Sequence, residues 1–143
     1  MTVPGARRYL IDNSAWARAP YEPVVRDQIV HVSRQYDVVV ATPQVLEAGF
    51  SAWSPDEWDA ITTQLGNLDA LAMSARTHDI ALEVQRALWH GGKIRAAGVF
   101  DTLLAAIATE HEVVVLHSDS DYEHISAVDP RLRQEWVAPR GSL

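Results

Sequence analysis

The sequence predicts an α/β domain with a mainly parallel central sheet flanked by helices, one unit over residues 1–143. Two uninterrupted apolar runs, VVVA at 38–41 and VVVL at 113–116, suit strands covered on both faces, the usual state of strands in a parallel sheet. Segments with helical spacing of apolar residues separate these runs, so strands and helices alternate along the chain. Strand order is not readable from this pattern.

In chain order, Tyr9, Leu10 and Ile11 form a short apolar strand ending in Asp12, Asn13 and Ser14. These three are good turn or cap residues, and Ser14 is placed to cap a short helix through residues 15–17. A helix is expected over 23–36, with Pro23 in its first turn and Val25, Ile29 and Val32 along one side. The strand 38–41 follows. Thr42 and Pro43 then open a helix over 44–53 whose apolar side is Val45, Leu46 and Phe50 and which carries Glu47. Read alone, Glu47 is a solvated helix glutamate.

Ser54, Pro55, Asp56 and Glu57 make a capping box for a helix to about residue 68. A short strand within 68–73 and an amphipathic helix over 77–89, through Ile80, Ala81, Val84, Ala87 and Leu88, come next. Residues 90–98 read as a flexible loop with Lys93 and Arg95, leading into a helix over 98–108. That helix has Phe100, Leu103, Leu104, Ile107 and Ala108 at helical spacing, yet Asp101 stands in its first turn. The run 113–116 ends in Asp119 and Asp121, with one helical turn over 122–125 and a last strand over 135–137. Residues 139–143 are expected to fray.

Composition narrows the function. The absence of cysteine excludes thiol catalysis, disulfides and Cys-ligated zinc. No apolar run approaches the roughly 18 residues that span a bilayer, and residues 1–8 lack a signal-peptide layout, so a cytoplasmic protein is the expectation. A net charge of −7 argues against a nucleic-acid partner unless the acids are concentrated at a site. Asp12, Glu47, Asp101, Asp119 and Asp121 are candidates for such a site, and without them the chain stands at −2. Of the basic residues only Lys93 is lysine; the arginines suit bidentate phosphate contacts and equally reflect coding bias. Arg86, Lys93 and Arg95 lie close in sequence to Asp101, as phosphate contacts or as solvated loop charges.

Carboxylates gather only if something positive offsets their repulsion, and hard oxygen ligands favour Mg²⁺ or Mn²⁺. In such a site the metal lowers the pKa of a bound water, orients it towards a phosphodiester and neutralises charge on the phosphate oxygens. His117, beside the acidic turn, is a candidate proton donor, although a strand-end histidine is usually structural. The other histidines show no zinc-ligand spacing.

Four fragments carry a resemblance: LIDNSA at 10–15, VLE at 45–47, GVFDTLLAA at 98–106 and VLHSDSDY at 115–122. Together, and in this order, they resemble a PIN domain, more narrowly the VapC toxins of VapBC toxin–antitoxin pairs. The resemblance implies a single PIN-like domain acting as a Mg²⁺- or Mn²⁺-dependent endoribonuclease on structured RNA such as transfer or ribosomal RNA. It places Asp12, Glu47 and Asp101 as the first three metal-site acids, Asp119 as the fourth, and Asp121 as a supporting or water-mediated ligand. Ser14 matches the hydroxyl residue that hydrogen-bonds the carboxylates. Asn13 stands where many relatives have threonine, and Phe100 where proline is frequent. The resemblance also implies a homodimer and a toxin–antitoxin hetero-oligomer, with a VapB-type antitoxin laid over the acidic pocket and no membrane partner. Apolar side chains at Phe50, Trp53 and Trp58 would suit that partner, or belong to the core.

Two other aspartate-based designs fit less well. A haloacid-dehalogenase-type phosphatase wants a second aspartate where this chain has Ser14, and a receiver domain wants a lysine after a late strand. A PIN-like module that binds RNA or protein without cutting is the remaining alternative.

Overall fold

The computed structural model describes residues 6–143. Five parallel strands, β1 (Arg8–Ile11), β2 (Asp37–Ala41), β3 (Asp69–Leu71), β4 (Val114–His117) and β5 (Arg133–Trp136), form one sheet in the order β3-β2-β1-β4-β5. Helices α1 (Asn13–Trp16) and α2 (Pro23–Gln35) connect β1 to β2, and α3 (Thr42–Phe50) and α4 (Pro55–Gly66) connect β2 to β3. The chain then crosses through α5 (Ala75–His90) and α6 (Val99–His111) to β4 on the far side of β1, and α7 (Asp121–Val128) leads to β5. The strand order therefore reverses between β1 and β4. In an open parallel sheet the crevice beyond the carboxyl ends of such a pair is where ligands bind.

Alternation along each strand feeds two cores. Leu10, Val39, Ala41 and Val115 point to the face covered by α5, α6 and α7, against Ile80, Val84, Leu88, Leu104, Ile107 and Ile125. Tyr9, Ile11, Val114 and Leu116 point to the other face, against Val25, Ile29 and Val32 of α2, Ala15 and Val137. Burial on both faces is why these strands read as continuous apolar runs.

Local chemistry sets the boundaries. Asp12, not Ser14, caps α1: its Oδ2 accepts from the Ser14 amide at 3.0 Å. Ser54 caps α4 by accepting from the Glu57 amide at 3.1 Å, as the capping-box pattern requires. Gln44 is fully buried in α3, where its side chain accepts from the Ala41 amide and donates to the Ile11 carbonyl. It thereby fastens the end of β1 to α3. Helices α3 and α4 approach closely at Gly49, where a Cβ would stand 2.6 Å from the Trp58 indole nitrogen.

Several expectations change. The apolar side predicted for α3 faces outward, with Leu46 exposed and Phe50 93% exposed; Pro43, Gln44 and Gly49 face inward instead. Phe100 is 48% exposed, because the first turn of α6 stands at the sheet's carboxyl end while Leu104, Ile107 and Ala108 lie over the strands. The single turn expected at 122–125 is the eight-residue α7. In the segment expected to fray, Arg140 pairs with Glu123 at 2.9 Å and lies over the Trp136 ring.

Candidate functional site

The acids assemble at the reversal point. The Asp12 amide donates to the Leu116 carbonyl at 2.9 Å, extending the β1–β4 ladder by one residue and burying the Asp12 side chain beside the end of β4. Beyond β4 the backbone turns sharply, and Asp119 Oδ1 accepts from the Asp121 amide at 2.9 Å. This aspartate-initiated turn starts α7. The Ser14 hydroxyl accepts from the Ser118 amide at 2.9 Å, clamping the turn to α1. Ser14 thus reaches Asp12 through its backbone amide, while its hydroxyl holds the loop, a correction to its expected bond with the carboxylates.

Asp101 enters from the first turn of α6. Asp121 Oδ2 accepts from the Gly98 amide at 2.9 Å, which fixes the start of that helix against the turn. Asp101, Asp119 and Asp121 each offer a carboxylate oxygen within 4.8 Å of the others. Asp12 lies outside that spacing and is joined through Tyr122, whose hydroxyl is 2.8 Å from Asp12 Oδ1 and 3.3 Å from Asp101 Oδ1. Glu47 is also outside it; its Oε1 accepts from the Asn13 side-chain amide at 3.1 Å, which also donates to the Gln44 carbonyl. The structure thus brings Asp101, Asp119 and Asp121 together, tethers Asp12 to them through a phenol, and ties Glu47 to the residue after Asp12.

The electrostatics follow from this crowding. Burial, then the charge of Asp12 and the neighbouring carboxyls of Asp121 and Asp119, push the Asp101 carboxyl up to about 8. No ion pair among the described residues reaches these acids. Burial, then the charges of Asp12 and Asp101, raise the Tyr122 phenol, so it stays protonated and donates. A cluster of hard carboxylate oxygens with uncompensated negative charge fits a divalent cation of the Mg²⁺ or Mn²⁺ type.

His117 is fully buried, and burial lowers its pKa. Its Nδ1 accepts from the Asp119 amide at 3.1 Å and its Nε2 donates to Gln134 Oε1 at 2.6 Å. Both nitrogens are occupied by structural bonds, and the one proton of the neutral ring, on Nε2, is committed to Gln134. Tyr122, Gln44 and Gln134 had no distinguishing sequence signal, and Asn13 read only as a turn or cap residue. Tyr122 follows Asp121 directly, and only the fold turns its hydroxyl back onto Asp12.

No family model matches the chain. Ribonuclease VapC51 of Mycobacterium tuberculosis is 33% identical over 138 residues, covering 96% of this chain and 98% of the relative. Ribonuclease VapC18 of the same organism is 31% identical, covering 94% of this chain and 98% of the relative. The chain belongs to the VapC ribonuclease family. The family's fold agrees with the architecture above. The solved VapBC2 complex from Rickettsia felis, bound to a DNA fragment from its promoter, gives a TM-score of 0.73 at 14% identity, covering 90% of this chain and 98% of that one. DNA-bound VapBC from Salmonella typhimurium gives 0.72 at 15% identity, covering 92% and 99%. Among the described residues no helix is long and apolar enough to cross a membrane.

Proposed function

We propose that this VapC-family protein is the toxin of a toxin–antitoxin pair and cleaves RNA at the acidic cluster with Mg²⁺ or Mn²⁺. The observation that carries the reading is the meeting of Asp101, Asp119 and Asp121 within 4.8 Å at the end of β4. Asp101, Asp119 and Asp121 hold the cation, with Asp12 completing its surroundings. When bound, the cation makes water a competent nucleophile near neutral pH and offsets charge gathering on the phosphate oxygens.

The chain's own groups prepare this site. Asp101 would give up its proton to hold the cation, because the proton and the cation would compete for the same oxygens. Tyr122 holds the Asp12 and Asp101 carboxylates in place, and the Gly98 amide holds Asp121. Glu47, held by Asn13, the residue after Asp12, positions water or the incoming phosphodiester.

The partner is a VapB-type antitoxin. We assign to it the outward apolar side of α3 and the turn after it, where Phe50 and Trp53 are 93% and 94% exposed, together with the half-exposed Trp58 of α4. Two copies of the toxin complete the assembly.

The test uses chain freed of antitoxin, incubated with transfer and ribosomal RNA. Cleavage with 5′-phosphate ends, abolished by EDTA and restored by Mg²⁺ or Mn²⁺, is expected. Growth arrest on induction of an Asp101→Asn variant, with no new RNA ends, would instead support a module that binds without cutting.

A further inference from the structure

A cleft of about 440 Å³ opens directly beside Asp119, between the end of α1 and the segment after β5. Arg18, Ser118, Ser120, Trp136 and Arg140 line it with Asp119. Its two arginines are held differently. Glu123 accepts from the Trp136 indole at 2.8 Å and pairs with Arg140 at 2.9 Å, and the Arg140 guanidinium lies 5.8 Å from the Trp136 ring centroid. Arg140 is thereby fixed on one edge, with its other donors free to meet a ligand. Arg18 is exposed, and its side chain makes no ion pair or hydrogen bond among the described residues.

We propose that this cleft holds the sugar-phosphate backbone of single-stranded RNA next to the phosphate under attack, with Arg18 and Arg140 contacting the flanking phosphate. This rests on the reading of the acidic cluster as an RNA-cleaving site. An acidic cluster repels a polyanion until cations sit nearby, and two guanidinium groups sharing a cleft with Asp119 supply positive charge where the strand must enter. The Ser118 and Ser120 hydroxyls add neutral polar contacts, and the Trp136–Arg140 pair offers the flat surface on which a base stacks.

The experiment measures fluorescence anisotropy of a labelled single-stranded oligoribonucleotide against KCl concentration, using the full chain with Asp101→Asn so that cleavage does not interfere. Arg18→Ala and Arg140→Ala are each expected to weaken binding about tenfold. Each should also make the salt dependence shallower by about 0.7 in log K against log[salt], the value of one single-strand phosphate contact. Arg18→Lys and Arg140→Lys should keep the slope. Unchanged affinity and slope in both alanine variants overturns the assignment, as does absence of RNA binding by the parent at low salt. Loss of antitoxin binding with RNA binding intact also overturns it, giving the cleft to the partner. Cleavage by the chain with native Asp101 is scored separately: arginine-dependent RNA binding without any cleavage sinks the nuclease reading and leaves the cleft assignment standing.

Discussion

The Tyr122 hydroxyl donates to Asp12 Oδ1 at 2.8 Å, tying the acid that follows β1 to the helix that follows the β4 turn. Tyr122 is fully buried, and its hydroxyl also lies 3.3 Å from Asp101. One phenol thus spaces two carboxylates contributed from distant parts of the chain. Tyr122→Phe keeps the ring packing and removes this tie. It should lower Mn²⁺ affinity by about 10–100-fold, the usual effect of losing a group that orients metal ligands. Titration of the two proteins by calorimetry checks it.

Asp101 makes the metal-free protein less stable as pH rises. Its folded carboxyl titrates at about 8 against a reference of 3.8, so over that window the folded chain keeps a proton that the unfolded chain has released. The Asp101 contribution to metal-free stability, read as the difference between the parent and Asp101→Asn, should therefore fall from about pH 4 to about pH 8, and saturating Mg²⁺ should flatten the fall. At pH 7 cation binding should release about one proton, read by calorimetry in buffers of different ionisation enthalpy.

Asp101→Asn separates stability from activity. The substitution removes a carboxyl held against its neighbours' charge, so the metal-free melting temperature should stay or rise. Cleavage should drop by roughly 100-fold or more if the residue is a metal ligand, as proposed, and not merely a support. Parallel melting curves and single-turnover assays decide it.

His117 should behave as a structural residue. Burial keeps it neutral when folded, while the unfolded chain binds a proton near 6.5. Its contribution to stability is present above that pH and is lost as pH falls below it. His117→Ala should cost about 2–4 kcal/mol through a cavity and two lost bonds. The shape of the cleavage pH profile should not change.

Much of this was legible in the residues. The runs at 38–41 and 113–116 are strands because valine-rich segments fit a sheet covered on both faces, and Pro55 with Ser54 and Glu57 marks the start of α4. Strand order was not legible, since nothing local says that β4 crosses to the far side of β1. Nor does apolar spacing tell a covered side chain from one left for a partner, which is why Leu46 and Phe100 read as the covered side of their helices and Phe50 stayed open between core and partner. Asp12, Asn13 and Ser14 are all good caps, so the sequence could not choose among them. The acids showed as interruptions of apolar runs, whereas Tyr122 and Gln44 look like ordinary helix residues until the fold turns them onto β1.

The central claim is that the acids around Tyr122 hold one divalent-cation site. Crystals grown with Mn²⁺ and measured at an X-ray energy where manganese scatters anomalously test it most directly. The account predicts a peak among the carboxylates of Asp101, Asp119 and Asp121, next to Asp12, that disappears in Asp101→Asn. Full Mn²⁺ occupancy elsewhere on the chain, with these carboxylates bare, would contradict it.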